Sequence, residues 1–414
     1  MTNWAGNFAF EAHVVHHPTS VPEVQDLVAR SPQVKALGTR HSFTTVADSP
    51  EALISLSGLA SEIIIDRDAM TATVTGGASY GVLAAELQRR GYALQNMGSL
   101  PHISVAGATA TGTHGSGDNN GVLATAIAAL ELVTADGSVV TVDRSNPDLA
   151  AIAVGLGAFG VITRVTLDVV PSYTLRQDLY RNASWDSVLH NLDEVMASAY
   201  SVSLMADFGS PTIKSVWQKS ITESADHPGA APVFRFGGTW NDDAELPEVH
   251  NLNARAGVPG PWSDRLPHFR LDSQPSAGGD ELQSEYFVDR QHGAAALDAL
   301  RGLGDRISPH LGIAEIRTTA ADELWMSPAY RQASLTIGFT WKKHPAEVAA
   351  LLPDIEAALA PYSPRPHWGK LFAIDRSTLS ERLARLPEFA ALVRRYDPNG
   401  KFSNRFLQSI GVHD

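Results

Sequence analysis

Apolar and polar residues alternate along much of the first part of the chain, with a period that changes from segment to segment. Period-two alternation predicts strands, and apolar residues three and four apart predict helices. Strands are therefore predicted in "QVKAL", "ALISLSGL" and "EIIIDRDAMTATVTGG", and in "AIAALELVTADGSVVTVDR", where Asp136 and Gly137 form a hairpin turn. Helices are predicted in "TSVPEVQDLVAR", capped by Ser20 and Glu23, and in "SYGVLAAELQRRGYAL", closed by Gly91.

The pattern changes in the middle of the chain, where the predicted strands are longer. These strands are "LYRNAS", "SVSLMADF", "GGDELQSEYFV" and "SLTIGFTW", and the helices "HGAAALDALRGLGDRI" and "HPAEVAALLPDIEAALA" lie among them. The segment 222–278 is rich in proline and glycine, which favours an irregular loop over a neighbouring domain. After "RPHWGK" the chain is predicted to be helical again in "STLSERLARLPEFAALVRRY".

Composition and charge narrow the class of protein. A chain of 414 residues corresponds to two domains, or to one large domain with an insertion. Its formal net charge of −13 disfavours nucleic acid and anionic membranes as partners. No apolar run approaches the ~20 residues of a membrane helix, and the first residues lack the features of a signal peptide, so a cytoplasmic protein is expected, as a monomer. The chain contains no cysteine, which excludes disulfides, thiolate metal sites and cysteine nucleophiles, and no metal site is predicted.

One glycine motif matches a dinucleotide-binding site, but the predicted elements on either side of it are in the wrong order. "GLGAFG" at 155–160 matches the G-x-G-x-x-G pattern of an NAD dehydrogenase. That pattern requires a strand before it and a helix after it. Here the helix-like "PDLAAIAV" precedes and the strand-like "VITRVTLDVV" follows. The reversed order disfavours an NAD site, and the glycines are better explained by a close approach of the backbone to another element or to a cofactor.

Two other stretches carry candidate cofactor chemistry. "ALGTRHSFTT" at 36–45 places His41 after a glycine-led turn, and "SLPHISVAGATATGTHGSG" at 99–117 combines glycine, alanine and small hydroxyl residues. Such segments present main-chain N–H groups without bulk, which suits a pyrophosphate and a flat ring. From composition alone, the stretch 99–117 could equally be a glycine-rich surface loop. The alternative for His41 is a loop histidine that merely packs or forms a hydrogen bond.

A second group of residues is suited to binding a substrate that carries hydroxyl groups. "EIRTT" places Glu315 and Arg317 two residues apart on a strand, so both side chains point to the same face. Thr340 in "GFTW" and Lys370 in "PHWGK" supply a hydroxyl and an ammonium group. If these groups converge, each can pair with a hydroxyl of a buried substrate. From the spacing alone, a solvated ion pair is the better explanation of Glu315 and Arg317.

In combination, "LGTRHSF" and "SLPHISVAGATATGTHGSG" resemble the FAD-binding half of the vanillyl-alcohol oxidase superfamily, and more closely the alditol oxidases. The similarity extends to "NWAGN", "GVPGPW", "RLPHFR", "ELQSEY", "EIRT", "SPAY", "PHWGK" and "DPNGKF". The resemblance implies an α+β, two-domain fold of the vanillyl-alcohol-oxidase type. It implies a PCMH-type FAD-binding domain at 1–170, a substrate or cap domain with a large antiparallel sheet at 171–365, and a C-terminal segment, 366–414, that rejoins the FAD domain.

The resemblance also implies roles for single residues. It places a covalent 8α-histidyl bond to FAD on His41, and substrate contacts on Ser99, Glu315, Arg317, Thr340 and Lys370, of which Glu315, Arg317 and Lys370 are catalytic. The further cofactor-binding residues that it implies are Leu37, Gly38, Thr39, Arg40, Ser42, Ser99, Ser104, Val105, Ala106, Gly107, Ala110, Thr111, Gly112, Thr113, His114, Val161 and Lys370. One position departs from the family pattern, because alditol oxidases carry a histidine where this chain has Gly338.

The activity implied is that of an FAD-dependent oxidase. It converts the terminal CH2–OH of a polyol such as xylitol or sorbitol to an aldose, and O2 is reduced to hydrogen peroxide. A sugar-1,4-lactone oxidase of the L-gulonolactone or D-arabinonolactone type is the alternative, since those relatives share the Glu-x-Arg and His-Trp-x-Lys patterns. A reductase with non-covalent flavin is a further alternative, which His41 disfavours.

Overall fold

A computed structural model describes residues 1–222, 234–240, 251–276 and 278–413. In this part of the chain the strands are β1 (Val14–His16), β2 (Val34–Leu37), β3 (Ala52–Ser55), β4 (Ile63–Asp66), β5 (Thr71–Thr75), β6 (Tyr92–Ala93), β7 (Ile127–Val133), β8 (Val139–Asp143), β9 (Val161–Asp168), β10 (Val170–Pro171), β11 (Thr174–Ser184), β12 (Ser201–Ala206), β13 (Thr212–Thr222), β14 (Thr239–Trp240), β15 (Gly260–Pro261), β16 (Leu282–Asp289), β17 (Leu311–Thr319), β18 (Ser334–Trp341) and β19 (Arg365–Pro366). The α-helices are α1 (Val21–Arg30), α2 (Tyr80–Arg89), α3 (Val105–Ala110), α4 (Leu149–Ile152), α5 (Trp185–His190), α6 (Leu192–Met196), α7 (Trp262–Arg265), α8 (Gly293–Arg301), α9 (Gly304–Ile307), α10 (Pro345–Leu359), α11 (Arg376–Arg382), α12 (Leu386–Tyr396) and α13 (Arg405–Ser409). Among the described residues no helix is long and apolar enough to cross a membrane.

The first part of the chain forms two principal sheets. One is parallel, in the order β1-β3-β2, and the other is antiparallel, in the order β4-β5-β9-β7-β8. The local signals in this region are confirmed. Ser20 Oγ accepts the N–H of Glu23 at the start of α1, and Gly137 has the positive φ of +85° that the β7–β8 turn requires.

The glycine motif at 155–160 follows the short helix α4 and leads into β9, so the reversed order of elements is confirmed. The close backbone approach is confirmed as well. Gly160 has a φ of +149°, and a Cβ atom there would collide with the carbonyl oxygen of Val133 in β7. The motif therefore packs the chain against the neighbouring strand.

The middle of the chain forms one large antiparallel sheet with the strand order β14-β11-β13-β12-β17-β18-β16-β19, and β15 pairs with β11. The expected α+β composition with a large antiparallel sheet is confirmed. The stretch "HGAAALDALRGLGDRI" forms two helices instead of one: α8 ends at Arg301 with Gly302 as its C-cap, and α9 begins at Gly304. The loop-rich segment 222–278 contains α7 and two-residue strands where it is described, and the remainder lies outside the described residues. The division into domains at 170 and 365 stays a prediction.

The last part of the chain contacts the first part directly. Trp368 O accepts the hydroxyl of Thr44 at 2.8 Å, and Lys401 O accepts the N–H of Val34 at 2.9 Å. The amide of Asn404 donates to main-chain carbonyl groups of residues 45, 46 and 48. Residues that follow the large sheet thus complete the hydrogen bonding of the parallel sheet.

Lys35 in β2 joins these regions from inside. It is 1% exposed, and its Nζ donates to the carbonyl groups of Leu156 at 3.0 Å, Gly157 at 3.2 Å and Phe402 at 3.3 Å. Burial lowers the pKa of Lys35 to about 7, and the negative charge of Asp397 opposes that shift. One ammonium group therefore holds the glycine motif and the C-terminal segment against β2.

We expect the substitution Lys35→Met to destabilise the protein. It leaves three main-chain carbonyl groups without their donor in a buried position, which we expect to cost about 2–4 kcal/mol. Chemical denaturation followed by tryptophan fluorescence measures this loss. Lys342→Met is the control, because Lys342 donates to Pro309 O at the surface and its loss should not shift the transition. Equal stabilities of the two variants would contradict the tethering role of Lys35.

Candidate active site

The glycine-rich segments and the large sheet face one another across a cavity of about 460 Å³. That volume lies in the range of cofactor and ligand sites. Among the residues singled out from the sequence, those that line the cavity are Leu37, Gly38, Thr39, Arg40, His41, Ser42, Ser99, Ser104, Ala106, Gly107, Ala110, Thr111, Thr113, His114, Glu315, Arg317, Gly338, Thr340 and Lys370. The structure thus brings together candidate cofactor and substrate residues that are up to 333 positions apart, Leu37 and Lys370 being the extremes.

Three of the expected cofactor residues are not part of this lining. Val105 and Val161 are fully buried in apolar packing, and Gly112 lies against Pro328 with a φ of +70°. These positions shape the segments that reach the cavity, and a direct contact of these residues with a cofactor stays a prediction.

His41 follows β2 on the cavity wall. The preceding residue, Arg40, has a left-handed φ of +65°, which turns the chain sharply at this point. The His41 ring stacks on Trp4 with centroids 5.0 Å apart, and its Nδ1 lies 3.0 Å from Thr39 Oγ1. Its Nε2 is buried and has no hydrogen-bond partner among the described residues. Burial lowers the pKa of His41 to about 4, and the nearby His102 and Arg40 add to the shift, so the ring is neutral at pH 7.

Main-chain atoms form the wall next to His41. A Cβ atom at Gly38 would lie 2.6 Å from Ser104 Oγ, and one at Gly107 would lie 2.7 Å from the same atom. The N–H of Ser104 donates to Thr39 Oγ1 at 3.3 Å. The two segments therefore approach each other closely at Gly38 and Gly107, with only the small hydroxyl side chains of Thr39 and Ser104 between them. This wall of glycine and small hydroxyl residues and the unpartnered nitrogen of His41 fit a flat, phosphate-bearing cofactor such as FAD.

The two other histidines of the glycine-rich stretch differ in their surroundings. His102 lies outside the cavity lining, and its Nε2 contacts the carbonyl oxygen of Leu271 at 3.1 Å. His114 lines the cavity, its Nδ1 lies 2.8 Å from Gly115 O, and its Nε2 lies 3.3 Å from a carboxylate oxygen of Glu285. Burial lowers the pKa of His114. His102 is thus a structural residue, whereas His114 belongs to the polar part of the cavity.

A cluster of charged side chains forms the opposite wall. Arg317 Nη2 donates to Glu285 Oε1 at 2.9 Å, and Lys370 Nζ lies 2.7 Å from Glu285 Oε2. Arg317 Nε also lies 3.6 Å from Glu315 Oε1. Arg317 is only 6% exposed, so the interpretation of Glu315 and Arg317 as a solvated ion pair is wrong. Both belong to a buried network.

Strand register explains why these groups meet. Gly338 in β18 is paired with Glu285 of β16 on one side and with Glu315 of β17 on the other. Residues that are directly paired across a sheet point to the same face. The two carboxylates therefore flank a position without a side chain, where a Cβ atom would lie 3.0 Å from Glu285 Oε1.

Glu285 is the principal residue that sequence reasoning missed. It is fully buried, and burial by itself would raise its pKa, but the positive charges of Lys370 and Arg317 hold the pKa well below its usual range. It stands in "ELQSEY", one of the stretches that carry the family resemblance. A carboxylate inside a strand that is otherwise buried is the signal that could have identified it.

His268 was missed as well, in the proline-rich "RLPHFR". Its Nε2 lies 2.7 Å from Glu315 Oε1, and its main-chain N–H donates to Ser99 O at 3.0 Å. Ser99 Oγ in turn accepts a 3.4 Å contact from Arg317 Nη1. His268 therefore joins the Ser99 segment to the charged cluster. Its surroundings depend on the fold and carry no local sequence signal.

Comparisons with known proteins agree with this geometry. A family model described as "FAD binding domain" matches residues 12–143, and one described as "D-arabinono-1,4-lactone oxidase" matches residues 280–410. Alditol oxidase from Streptomyces sp. is 42% identical over 415 residues, which cover 99% of this chain and 98% of that protein. L-gulono-1,4-lactone dehydrogenase from Mycobacterium tuberculosis is 30% identical over 99% of this chain and 98% of its own length. Cholesterol oxidase from B. sterolicum has a TM-score of 0.77 at 14% identity, covering 99% of this chain and 96% of that one, and shares the fold.

We expect the substitution Glu285→Gln to destabilise the protein by about 3–5 kcal/mol, because it leaves Arg317 and Lys370 without their shared buried counter-ion. Chemical denaturation of the purified variant measures the effect. Glu323→Gln is the matched control, since Glu323 pairs with Arg331 at the surface, where both side chains are largely exposed. A Glu285→Gln variant as stable as this control would show that the buried pairing does not stabilise the fold.

Proposed function

The chain belongs to the alditol oxidases, a branch of the vanillyl-alcohol oxidase superfamily of FAD-binding proteins, and from this premise we propose that it oxidises the terminal CH2–OH of a polyol such as xylitol or sorbitol. The product is the aldose, and O2 is reduced to hydrogen peroxide. The observation that carries the proposal is the charged cluster of Glu285, Arg317 and Lys370, which faces His41 across one cavity.

FAD is held, in this proposal, by the main-chain wall of residues 38–42 and 104–113 and by a covalent bond from a ring nitrogen of His41 to the 8α-methyl carbon. Three observations support the bond: the ring is neutral, it is fixed between Trp4 and Thr39, and its Nε2 has no partner among the described residues. A neutral imidazole has a free lone pair, which a bond to carbon requires. When bound, FAD supplies the two-electron oxidation of the alcohol and the transfer of the electrons to O2.

A polyol offers hydroxyl groups along its whole length, and the cavity wall offers a partner for several of them. Ser99, Glu315, Arg317, Thr340 and Lys370 all line the cavity. Each hydroxyl group that became buried without a partner would cost about 1–3 kcal/mol. A wall made of carboxylate, guanidinium, ammonium and hydroxyl groups therefore favours a substrate with many hydroxyl groups over an apolar one.

The two cations also suit the chemical step. The hydroxyl proton must leave as the alcohol carbon is oxidised, so negative charge develops on the substrate oxygen. Arg317 and Lys370 are held in place by Glu285, and preorganised positive groups stabilise such charge where water is excluded. Glu285 itself is engaged by both cations through its two oxygens, which leaves it a positioning role.

A sugar-1,4-lactone oxidase is the second candidate function. The match of residues 280–410 to the D-arabinono-1,4-lactone oxidase family favours it, because that range contains Glu285, Arg317 and Lys370. Gly338 lies in the same range and lines the cavity, and a Cβ atom there would press on Glu285 Oε1 at 3.0 Å. A side chain at this position would therefore displace the Glu285 carboxylate and change the pocket that a substrate meets. For either candidate function, we propose that the enzyme is monomeric and cytoplasmic.

The first experiment mixes the purified protein without oxygen with xylitol, and separately with L-gulono-1,4-lactone. We expect xylitol to bleach the yellow flavin absorption rapidly, and hydrogen peroxide to appear when air is admitted. Bleaching by the lactone alone would move the protein to the lactone oxidases and make Gly338 the first position to vary. A protein that reacts with neither compound would contradict both candidate functions.

The covalent bond is tested separately with His41→Ala. We expect the wild-type polypeptide to retain yellow, fluorescent flavin after acid denaturation and gel electrophoresis, and the variant to release it, because the variant lacks the ring nitrogen that bonds the cofactor. His102→Ala is the matched control, since His102 lies nearby but outside the cavity lining, and it should retain the flavin. Release of flavin from the wild-type protein would show that the cofactor is not covalently bound.

A further inference from the structure

Lys219 is a buried charged residue that the chemistry described above does not use. It lies in β13, is 2% exposed, and its Nζ donates to the carbonyl oxygen of Leu266. The same Nζ lies 3.0 Å from Nδ1 of His268. A lysine at such a depth is costly unless its donors are used, so these two contacts account for its position.

His268 lies between Lys219 and the cavity. Its ring packs edge-on against Trp217 with centroids 4.9 Å apart, and its Nε2 lies 2.7 Å from Glu315 Oε1. Glu315 Oε1 also lies 3.6 Å from Arg317 Nε. A continuous chain of polar contacts therefore runs from Lys219 through His268 and Glu315 to Arg317.

The donor and acceptor roles in this chain are fixed by its last members. The ionised Glu315 carboxylate can only accept, so Nε2 of His268 donates to it, and the neutral ring leaves Nδ1 to accept from Lys219. Burial lowers the pKa of Lys219 to about 7, and both its ammonium and its amine form have an N–H to donate to Nδ1. The ring proton then resides on Nε2 and is donated to Glu315. We propose that Lys219 and His268 are positioning residues, which orient the Glu315 carboxylate by engaging its Oε1 and leave its Oε2 for a substrate hydroxyl.

The alternative tautomer is disfavoured at both ring nitrogens. With the proton on Nδ1, the lone pair of Nε2 would face the Glu315 carboxylate at 2.7 Å, an arrangement of two acceptors. Lys219 disfavours that state, since its N–H would then face the N–H on Nδ1. The substrate side of this inference rests on the proposed function, whereas the state of the His268 ring does not.

The charges around His268 support the same assignment. Burial lowers the pKa of His268 to about 4, and the positive charge of Lys219 adds to the shift. Glu315 acts in the opposite direction, and Arg317 lowers the pKa further. If the charge of Lys219 is removed, the pKa of His268 should rise, because its contact with Glu315 favours the protonated ring.

The state of the ring can be measured by NMR on protein labelled with 15N-histidine. We expect the wild-type protein to show, at pH 7, a neutral ring with the proton on Nε2, assigned to His268 by its absence from His268→Gln. In Lys219→Met we expect this signal to change to that of a protonated ring within the range pH 5 to 8, because the contact with Glu315 is retained. The same neutral tautomer in Lys219→Met over that range would overturn the proposal.

The substrate side is measured by anaerobic reduction of the flavin at several xylitol concentrations. We expect Lys219→Met to raise the Kd for xylitol about tenfold, with a smaller change in the limiting rate, because a His268 ring without its contact to Lys219 no longer orients Glu315 toward the substrate hydroxyl. His268→Gln should bind xylitol nearly as well as the wild type, because its amide can donate to Glu315 without the help of Lys219.

The double variant Lys219→Met/His268→Gln provides the internal control. If Lys219 acts through His268, the double variant should match His268→Gln alone. Full additivity of the two effects would mean that the residues act independently and would overturn the proposal. Failure of the wild-type protein to react with xylitol would count against the proposed function, and the NMR result would still decide the roles of Lys219 and His268.

Discussion

The candidate site depends on the burial of one carboxylate. Glu285 is inaccessible to solvent, and a buried charge of this kind is tolerated only when it is paired and hydrogen-bonded. Its two partners come from different parts of the chain, Arg317 from β17 and Lys370 from the segment after β19. The pairing therefore forms only when the large sheet has its native register and the chain has returned to the glycine-rich wall. This part of the candidate site is therefore assembled by the folding of the protein itself.

The pairing also explains the arrangement of the cavity. Because Glu285, Gly338 and Glu315 are neighbours across three strands, their side-chain positions form a row on one face of the sheet. The outer two positions carry negative charge and attract Arg317, Lys370 and His268. The middle position carries no side chain, and Glu285 Oε1 lies within 3.0 Å of the place where a Cβ atom would stand. The absence of a side chain at Gly338 thus makes room for the Glu285 carboxylate.

Much of the fold could be predicted because the relevant signals are local. The cap at Ser20, the Asp136–Gly137 turn and the order of elements around "GLGAFG" depend on residues a few positions apart. Resemblance supplied the roles of His41 and of the candidate substrate residues, which no periodicity indicates. The partners of Glu285, His268 and Lys219 could not be predicted, because they depend on register and burial that residues far apart in the chain create together. The same reason accounts for the wrong expectation of a solvated Glu315–Arg317 pair.

The hydrogen bonds between the two ends of the chain determine the order in which its parts can fold while the protein is being synthesised. The parallel sheet and the His41 turn leave the ribosome early, but Thr44, Val34 and Lys35 find their partners at Trp368, Lys401 and Phe402 only after nearly the whole polypeptide has been translated. Until then, part of the cavity wall around His41 lacks the contacts that hold it in place. Stable enclosure of the cavity is therefore a late step that follows synthesis of the C-terminal segment, and a nascent chain that stalls before this segment cannot complete the candidate site.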